Sequence, residues 1–222
     1  IAPAKAGLMF IITRLWDCIN DPIWGAMVAK RPPSKDGKFR PYLKWVSIPL
    51  GLSTVLCFMP YDKLTSNSTI LLIGEGMLLL LAYATYIFYG MMYTGMNIPF
   101  GSLASVITDD PNGRNLLSTF RSIGSGIGGA VVSLIAPMVI YTAKKTQGPD
   151  GNLVDVIDQT TGKVVEIADG NKMFIFGVAM AVLSLIFYLW GYKSTKERVP
   201  SEPDPKMDFK ATFLGLLKSR PF

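Results

Sequence analysis

The sequence predicts an all-α protein, a polytopic membrane helix bundle that carries a small external β-hairpin. Three observations lead there. Half of the 222 residues are hydrophobic against 17% charged, and the mean hydropathy is +0.34, which suits burial in a bilayer better than a water-soluble core. Apolar stretches recur at the length that crosses about 30 Å of hydrocarbon, roughly 20 helical residues each. Five are found, at 7–29, 42–60, 70–107, 116–141 and 173–192. Finally, the basic residues fall in alternate connections.

Helix is the expected state of each stretch, because an isolated strand leaves its backbone groups unpaired in lipid. The first stretch is interrupted by Arg14, Asp17 and Asp21 and is followed by a basic connection holding Lys30, Arg31, Lys35, Lys38, Arg40 and Lys44 against Asp36. The third exceeds a simple crossing, so it tilts or projects past the bilayer. Pro22, Pro49, Pro99 and Pro137 sit inside spans, where proline is tolerated and bends the helix. In the loop 143–172, the segments 153–157 and 163–167 flank Thr160-Thr161-Gly162, the pattern of a hairpin. After the fifth span the chain is basic again, with Lys193, Lys196, Arg198, Lys206, Lys210, Lys218 and Arg220. Putting both basic regions in the cytoplasm leaves residue 1 outside and residue 222 inside. Residues 1–192 then form the bundle. Residues 193–222 form a cytoplasmic linker, ending in a short amphipathic helix with Phe209, Phe213, Leu214, Leu216 and Leu217 on the inner membrane surface.

Composition also excludes functions. The net charge of +6 is concentrated in loops, which points to membrane orientation and not to nucleic acid. The chain has no histidine, so imidazole metal sites and histidine-dependent triads are absent. Cys18 and Cys57 both fall within spans and read as apolar packing, not as a disulfide framework. The opening Ile1-Ala2-Pro3-Ala4-Lys5 lacks the pattern of a signal peptide, and the chain is expected to begin partway through a longer protein.

The chemistry-bearing residues cluster in three places. In the first span, Arg14, Asp17, Asp21 and Gly25 fall on one stripe at about 100° per residue, with Asn20 and Trp24 beside it. Ionisable groups at membrane depth each cost about 2.5–3.5 kcal/mol on insertion scales, so they are expected to face inward. Two carboxylates one turn apart offer oxygen ligands to a small cation, or a site that takes up a proton, with Arg14 offsetting one charge. An internal Arg–Asp pair that only fixes packing is the simpler alternative. On the third span, Gly90, Thr94, Asn97 and Gly101 share a face near Tyr86, Tyr89 and Tyr93, which suits a polyhydroxyl ligand or, more simply, hydrogen bonding between helices. On the fourth, Arg121 precedes Gly124 and Gly128, a small-xxx-small pair that permits close packing.

The runs Arg14-Leu-Trp-Asp17-Cys-Ile-Asn-Asp21-Pro-Ile-Trp-Gly25, Gly37-Lys-Phe-Arg-Pro-Tyr42 and Gly90-Met-Met-Tyr-Thr94-Gly-Met-Asn97-Ile-Pro-Phe100 resemble the glycoside–pentoside–hexuronide:cation symporters, the melibiose permease-like branch of the major facilitator superfamily. The resemblance covers most of the chain except the hairpin. It implies five transmembrane helices, the second to sixth, of an amino-terminal half, followed by the interdomain linker, with the first helix and the carboxy-terminal half lying outside this chain. It implies that Asp17 and Asp21, with Thr94 and Asn20, bind the coupling cation, Na⁺, Li⁺ or H⁺, and that no other cofactor is needed. It further implies that Asn97, Arg121, Tyr93 and Gly101 line the sugar site, and that Arg14, Gly25, Arg40 and Arg114 act in structure or gating. Relatives carry an aspartate at the position of Asn97 and a tryptophan at that of Gly101, which argues against a galactoside preference. The implied setting is a bacterial inner membrane, and the implied activity is driven by a Na⁺ or H⁺ gradient. Two alternatives stand beside this reading. One is a carrier of a non-sugar solute such as a lysolipid. The other is an intramembrane Mg²⁺-dependent prenyltransferase, for which Asp109-Asp110 would have to serve as the second acid cluster.

Overall fold

The computed structural model describes residues 3–61, 75–147, 153–157 and 164–199. The expected turn at Thr160-Thr161-Gly162 and the amphipathic helix over Phe209–Leu217 lie outside these residues. The described residues form six helices: α1 (Pro3–Lys30), α2 (Arg40–Trp45), α3 (Ser47–Cys57), α4 (Glu75–Ile107), α5 (Pro111–Ile140) and α6 (Gly170–Ser194). Among the described residues, α4 from Gly76, α5 and α6 are long and apolar enough to cross a membrane. α1 has the length, with 28 residues, but carries Arg14, Asp17 and Asp21 along it. The chain is a multi-pass membrane protein.

The expected second span is two helices, α2 and α3, joined at Val46. Pro49 supplies the reason: it has no N–H to give the Trp45 carbonyl, and its ring crowds that turn. The bonds on either side survive, from Val46 N–H to the Tyr42 carbonyl at 2.9 Å and from Leu50 N–H to the Val46 carbonyl at 3.0 Å, so the pair remains one bent rod. α5 begins at Pro111, earlier than the apolar run that starts at 116. Asp110 caps it by accepting from the N–H groups of Asn112 at 3.2 Å and Gly113 at 2.9 Å, with proline at the first helical position where its missing donor costs nothing. Asp169 does the same for α6 through Asn171 and Lys172.

The expected hairpin arms also pair with the chain that leaves α5. β3 (Leu153–Asp155) pairs with β2 (Lys145–Gln147), and β4 (Glu166–Ala168) pairs with β1 (Tyr141–Ala143), all antiparallel. Among the described residues the two expected arms meet each other at the bridge Ile157–Val164, where Val165 N–H donates to the Val156 carbonyl at 2.7 Å. α5 ends at Ile140 and its chain continues extended, so residues 141–147 offer both arms a free edge. Lys144 sits between them, donating to the Val165 carbonyl at 2.7 Å and accepting from Val156 N–H at 2.8 Å.

α1 packs on α4, α3 on α4 and α6, and α2 on α4 and α6. Where they meet lies a core of Val28, Phe39, Tyr42, Leu43, Leu50 and Met96, continued by Leu103 and Val106. Most other large apolar residues point outward, as expected where lipid is the solvent. α5 has no buried residue, and an added Cβ on Gly124 or Gly128 meets nothing within 4 Å. The small-xxx-small face is therefore unused among the described residues.

After α6 the chain folds back on α4 as far as Val199. The N–H groups of Arg198 and Val199 donate to the Val106 carbonyl at 2.8 and 2.9 Å. Beside them the Glu197 carboxylate accepts from the backbone N–H groups of Lys38 at 2.8 Å, Phe39 at 2.7 Å and Arg40 at 2.8 Å. These are the orphan donors at the start of α2, and Phe39 at the cap position has no side chain to satisfy them. Gly37, at φ 104°, makes room, since a Cβ there would overlap the Glu197 carboxylate. Glu197→Ala is expected to lower the melting temperature of the detergent-solubilised protein by several degrees, reflecting about 1–3 kcal/mol for a charge-assisted bond network. Gly37→Ala should act in the same direction, and unchanged melting of both variants would show that the clamp contributes nothing.

Candidate functional site

α4 is the scaffold of the site, with α1 on one side and α5 and α6 on the other. The seam of α1 against α4 is lined by Thr13, Asn20 and Val28, all below 7% exposure, with Trp24 packed into it. Gly95 is what lets Trp24 in: a Cβ there would stand 2.7 Å from the indole. The buried stripe therefore runs through Thr13, Asn20, Trp24 and Val28, and Arg14 and Asp21 flank it instead of sharing its centre. Asp17 is half-buried at the edge of the seam, next to α4 at Gly90, where an added Cβ would lie 3.4 Å from its Oδ1.

The two carboxylates have different surroundings. Asp21 Oδ1 accepts a hydrogen bond from the Thr94 hydroxyl at 2.9 Å, and Thr94 is itself buried. Among the described residues no cation pairs with Asp21. Asp17 Oδ2 stands 3.5 Å from Arg14 Nη1, but the Arg14 side chain is 84% exposed, so this pair is screened and contributes little to stability. Asn20 is buried with its carboxamide nitrogen unpartnered among the described residues, as is the Trp16 indole nitrogen. Arg14, Asp17, Thr13 and Trp16 border a cleft of 340 Å³ whose α4 wall is Tyr86, Tyr89, Gly90 and Tyr93.

A second cleft, of 820 Å³, shares Tyr93 with the first and is bounded by Asn97, Phe100, Arg121, Ser122, Ser125 and Tyr188, among others. Gly101 gives Arg121 its place, because a Cβ on Gly101 would lie 2.9 Å from Arg121 Nη1. Tyr89 and Tyr93 stack at 6.1 Å, and Phe100 meets Tyr188 edge-on at 6.3 Å, so the aromatic walls are held by their neighbours. Tyr93 lines both clefts, and Thr94 follows it in sequence. Thus α4 places Thr94, which meets the α1 carboxylate Asp21, next to Tyr93 and one turn from Asn97, which line the larger cleft.

The remaining candidates are elsewhere. Arg40 donates to the Tyr192 carbonyl at 2.8 Å and lies 4.9 Å over the Tyr192 ring, which ties α2 to the end of α6. Arg114 donates to the Thr108 carbonyl at 2.9 Å and stands 3.6 Å from Asp109, holding the turn between α4 and α5. With Asp110 capping α5 and Asp109 on Arg114, that acid pair is occupied in local structure and not gathered toward Asp17 and Asp21. Gly25 has open space where a Cβ would go. Sequence reasoning missed Ser122, Ser125 and Tyr188 as cleft residues and Glu197 as a clamp. The serines had a signal, since they sit one residue and one turn beyond Arg121. Tyr188 and Glu197 had none, because their partners are far away in sequence.

Comparison with known proteins gives the same answer over the whole length. Residues 1–219 match the family model described as MFS/sugar transport protein. The chain is 38% identical over 220 residues to an uncharacterized symporter of Bacillus subtilis, covering 99% of this chain and 40% of that protein. It is 30% identical over 219 residues to the isoprimeverose transporter of Lactiplantibacillus pentosus, covering 98% and 39%. Against a glucuronide carrier protein homolog of Escherichia coli it is 28% identical over 199 residues, covering 90% and 37%. The chain thus spans about two fifths of the length of these relatives. With its apolar crossing helices, its polar α1–α4 seam and this match from end to end, the chain belongs to the MFS/sugar transport protein family, a family of transporters and not of enzymes.

Proposed function

We propose that this chain is part of a cation-coupled sugar symporter of the bacterial plasma membrane, driven by a Na⁺ or H⁺ gradient. Asp17 and Asp21 bind the cation, Thr94 orients the Asp21 carboxylate, and Asn20 can present its carboxamide oxygen by a half-turn of the amide. Asn97, Arg121 and Tyr93 bind the sugar, in the space that Gly101 leaves open. The basic connection at 30–44 and the basic end at 193–198 meet at one end of the bundle through Glu197, which supports a cytoplasmic position for both.

One observation carries the reading. The Thr94–Asp21 hydrogen bond sits one residue from Tyr93, whose ring borders both clefts. A cation that neutralises the α1 carboxylates therefore changes the charge and the packing of the wall that the solute touches. Coupling of this kind is reciprocal: the cation raises sugar affinity by the factor by which sugar raises cation affinity. The cation and the sugar are both cargo. In the relatives more than half of the sequence lies outside the match, and alternating access by rocking of two halves requires that part.

The test is uptake of a labelled panel of pentoses, hexoses, glycosides and uronides into vesicles carrying the full-length protein, with and without an inward Na⁺ gradient and, separately, a pH gradient. Accumulation of at least one sugar should rise several-fold with one of the gradients. Uptake indifferent to both gradients across the whole panel refutes symport.

A further inference from the structure

α2 and α3 run antiparallel to α6, and close approaches fix which levels face each other. A Cβ on Gly191 would lie 3.5 Å from the Leu43 side chain, one on Gly51 would lie 3.8 Å from the Ala181 carbonyl oxygen, and one on Gly177 would overlap Phe58. The end of this seam at Leu43 and Gly191 is the basic one. There Lys44 extends from α2 with its Nζ 5.4 Å from the centre of the Trp45 ring and 5.9 Å from that of Tyr192, the spacing of a cation over aromatic faces. Lys44 and Lys193 are both exposed, and Trp45 and Trp190 are each 65% exposed. Arg40, by contrast, is turned onto the Tyr192 carbonyl. Further along the seam the outward residues are apolar at helical spacing, Ile48 and Leu52 on α3 and Leu183 and Phe187 on α6. No residue of α2 or α3 lines either cleft, so this corner is separate from the polar walls of the candidate site.

We propose that this corner binds an anionic phospholipid, with the phosphate on Lys44 and the acyl chains along the exposed residues of α3 and α6. A lone exposed lysine specifies nothing, because water and its own flexibility satisfy it. Lys44 differs in being bracketed by two rings, which restrict the ammonium and lower the entropy lost when a phosphate binds. Tryptophan at this level keeps its ring among the headgroups, and the Trp45 N–H supplies a donor for phosphate or glycerol oxygens. A zwitterionic headgroup brings its own ammonium beside Lys44 and Lys193, and that repulsion offsets the gain at the phosphate. An anionic headgroup lacks this penalty. A soluble phosphate compound would meet the lysines and leave Trp45, Ile48 and Leu52 without a partner. A protein surface seated here would strip the Lys44 ammonium of water, which a lipid phosphate at the interface does not require. The inference stands on the membrane-crossing helices and does not depend on symport.

The experiment is native mass spectrometry of the purified full-length protein with equal amounts of dioleoyl phosphatidylglycerol and dioleoyl phosphatidylcholine. Lys44→Gln is expected to lower the ratio of phosphatidylglycerol to phosphatidylcholine adducts about fivefold, the effect of one lysine near a membrane surface. Lys44→Arg should keep the ratio, and Lys35→Gln, at an exposed lysine of the same basic connection, should leave it unchanged. A second measurement needs no change at Lys44. In phosphatidylcholine nanodiscs, the emission that Trp45→Phe removes should be quenched more by a minor fraction of brominated phosphatidylglycerol than by the same fraction of brominated phosphatidylcholine. An unchanged adduct ratio in Lys44→Gln overturns the inference. Equal losses in Lys44→Gln and Lys35→Gln assign the preference to the diffuse charge of this end and overturn it too. Trp45 emission untouched by either brominated lipid shows that protein covers the corner, and displacement of phosphatidylglycerol by millimolar glycerol 1-phosphate shows a soluble-anion site; each overturns it. Uptake is not a readout here, so every one of these outcomes leaves symport standing.

Discussion

Asp21→Asn in the full-length protein is expected to abolish cation-stimulated uptake and to leave only the residual, gradient-independent flux. Asp21 has a neutral partner, the Thr94 hydroxyl at 2.9 Å, and among the described residues no cation offsets it. Its charge is therefore available to an incoming ion. The interaction of unit charges about 4 Å apart is worth about 1 kcal/mol with water-like screening and about 4 kcal/mol at an effective dielectric near 20. That range is roughly 5- to 1000-fold in cation affinity. Asp17→Asn should fail by a different route. It removes one negative charge from the rim of the cleft and leaves Arg14, 3.5 Å away and largely exposed, unpaired beside the site, a repulsion weakened by solvent. Arg14→Gln tests that account, because it should raise apparent cation affinity where both aspartate variants lower it. Thr94→Val should fall between, losing the orientation of the Asp21 carboxylate and keeping its charge. The readout is sugar uptake as a function of Na⁺ concentration at fixed pH, repeated against pH at fixed Na⁺. Full cation stimulation in both aspartate variants would remove the α1 carboxylates from the coupling site.

What the sequence showed, and what it hid, follows from where each interaction is encoded. Helices α1, α4, α5 and α6 were legible because apolar length is a property of a continuous stretch. The start of α5 was missed although Asp110-Pro111 is a capping signature in its own right, because the hydrophobic run that defined the span begins only at 116. The bend at Val46 was encoded in Pro49, and the extent of its effect depended on whether neighbouring bonds survived. The site presents the same division. Carboxylates at membrane depth mark themselves by cost, so Asp17 and Asp21 stood out. Their partners did not, since which face of α1 meets α4 depends on Gly95 admitting Trp24. A stripe drawn from helical spacing put Arg14 and Asp21 at its centre, but the packed seam passes through Thr13, Asn20 and Val28 instead. The hairpin shows the limit most plainly. Two alternating segments with a turn between them looked like each other's partners and do meet at Ile157–Val164, but among the described residues their longer pairings are with the extended chain leaving α5 at Tyr141.

Gly101→Leu is expected to abolish sugar binding by about 100-fold or more while leaving cation binding intact, and that separation is what distinguishes a solute-site residue from a structural one. A Cβ alone would stand 2.9 Å from Arg121 Nη1. Because the crowded atom is the far end of a flexible side chain, alanine at this position can be tolerated by a small shift of the guanidinium, and its effect should be modest. Leucine adds three more carbons in the same direction. The guanidinium must then leave its place, and the space is taken by a group that cannot donate to hydroxyls. Losing charge-assisted bonds at about 1.5–3 kcal/mol each accounts for the expected magnitude. Neither Asp17 nor Asp21 lines the cleft of Arg121, so Na⁺ binding followed by tryptophan fluorescence should be near that of the parent. A leucine variant that binds sugar normally would show that Arg121 is not where the solute sits, and one that loses sugar and cation together would show that the two clefts are a single packing unit in which Gly101 serves only to let the helices close.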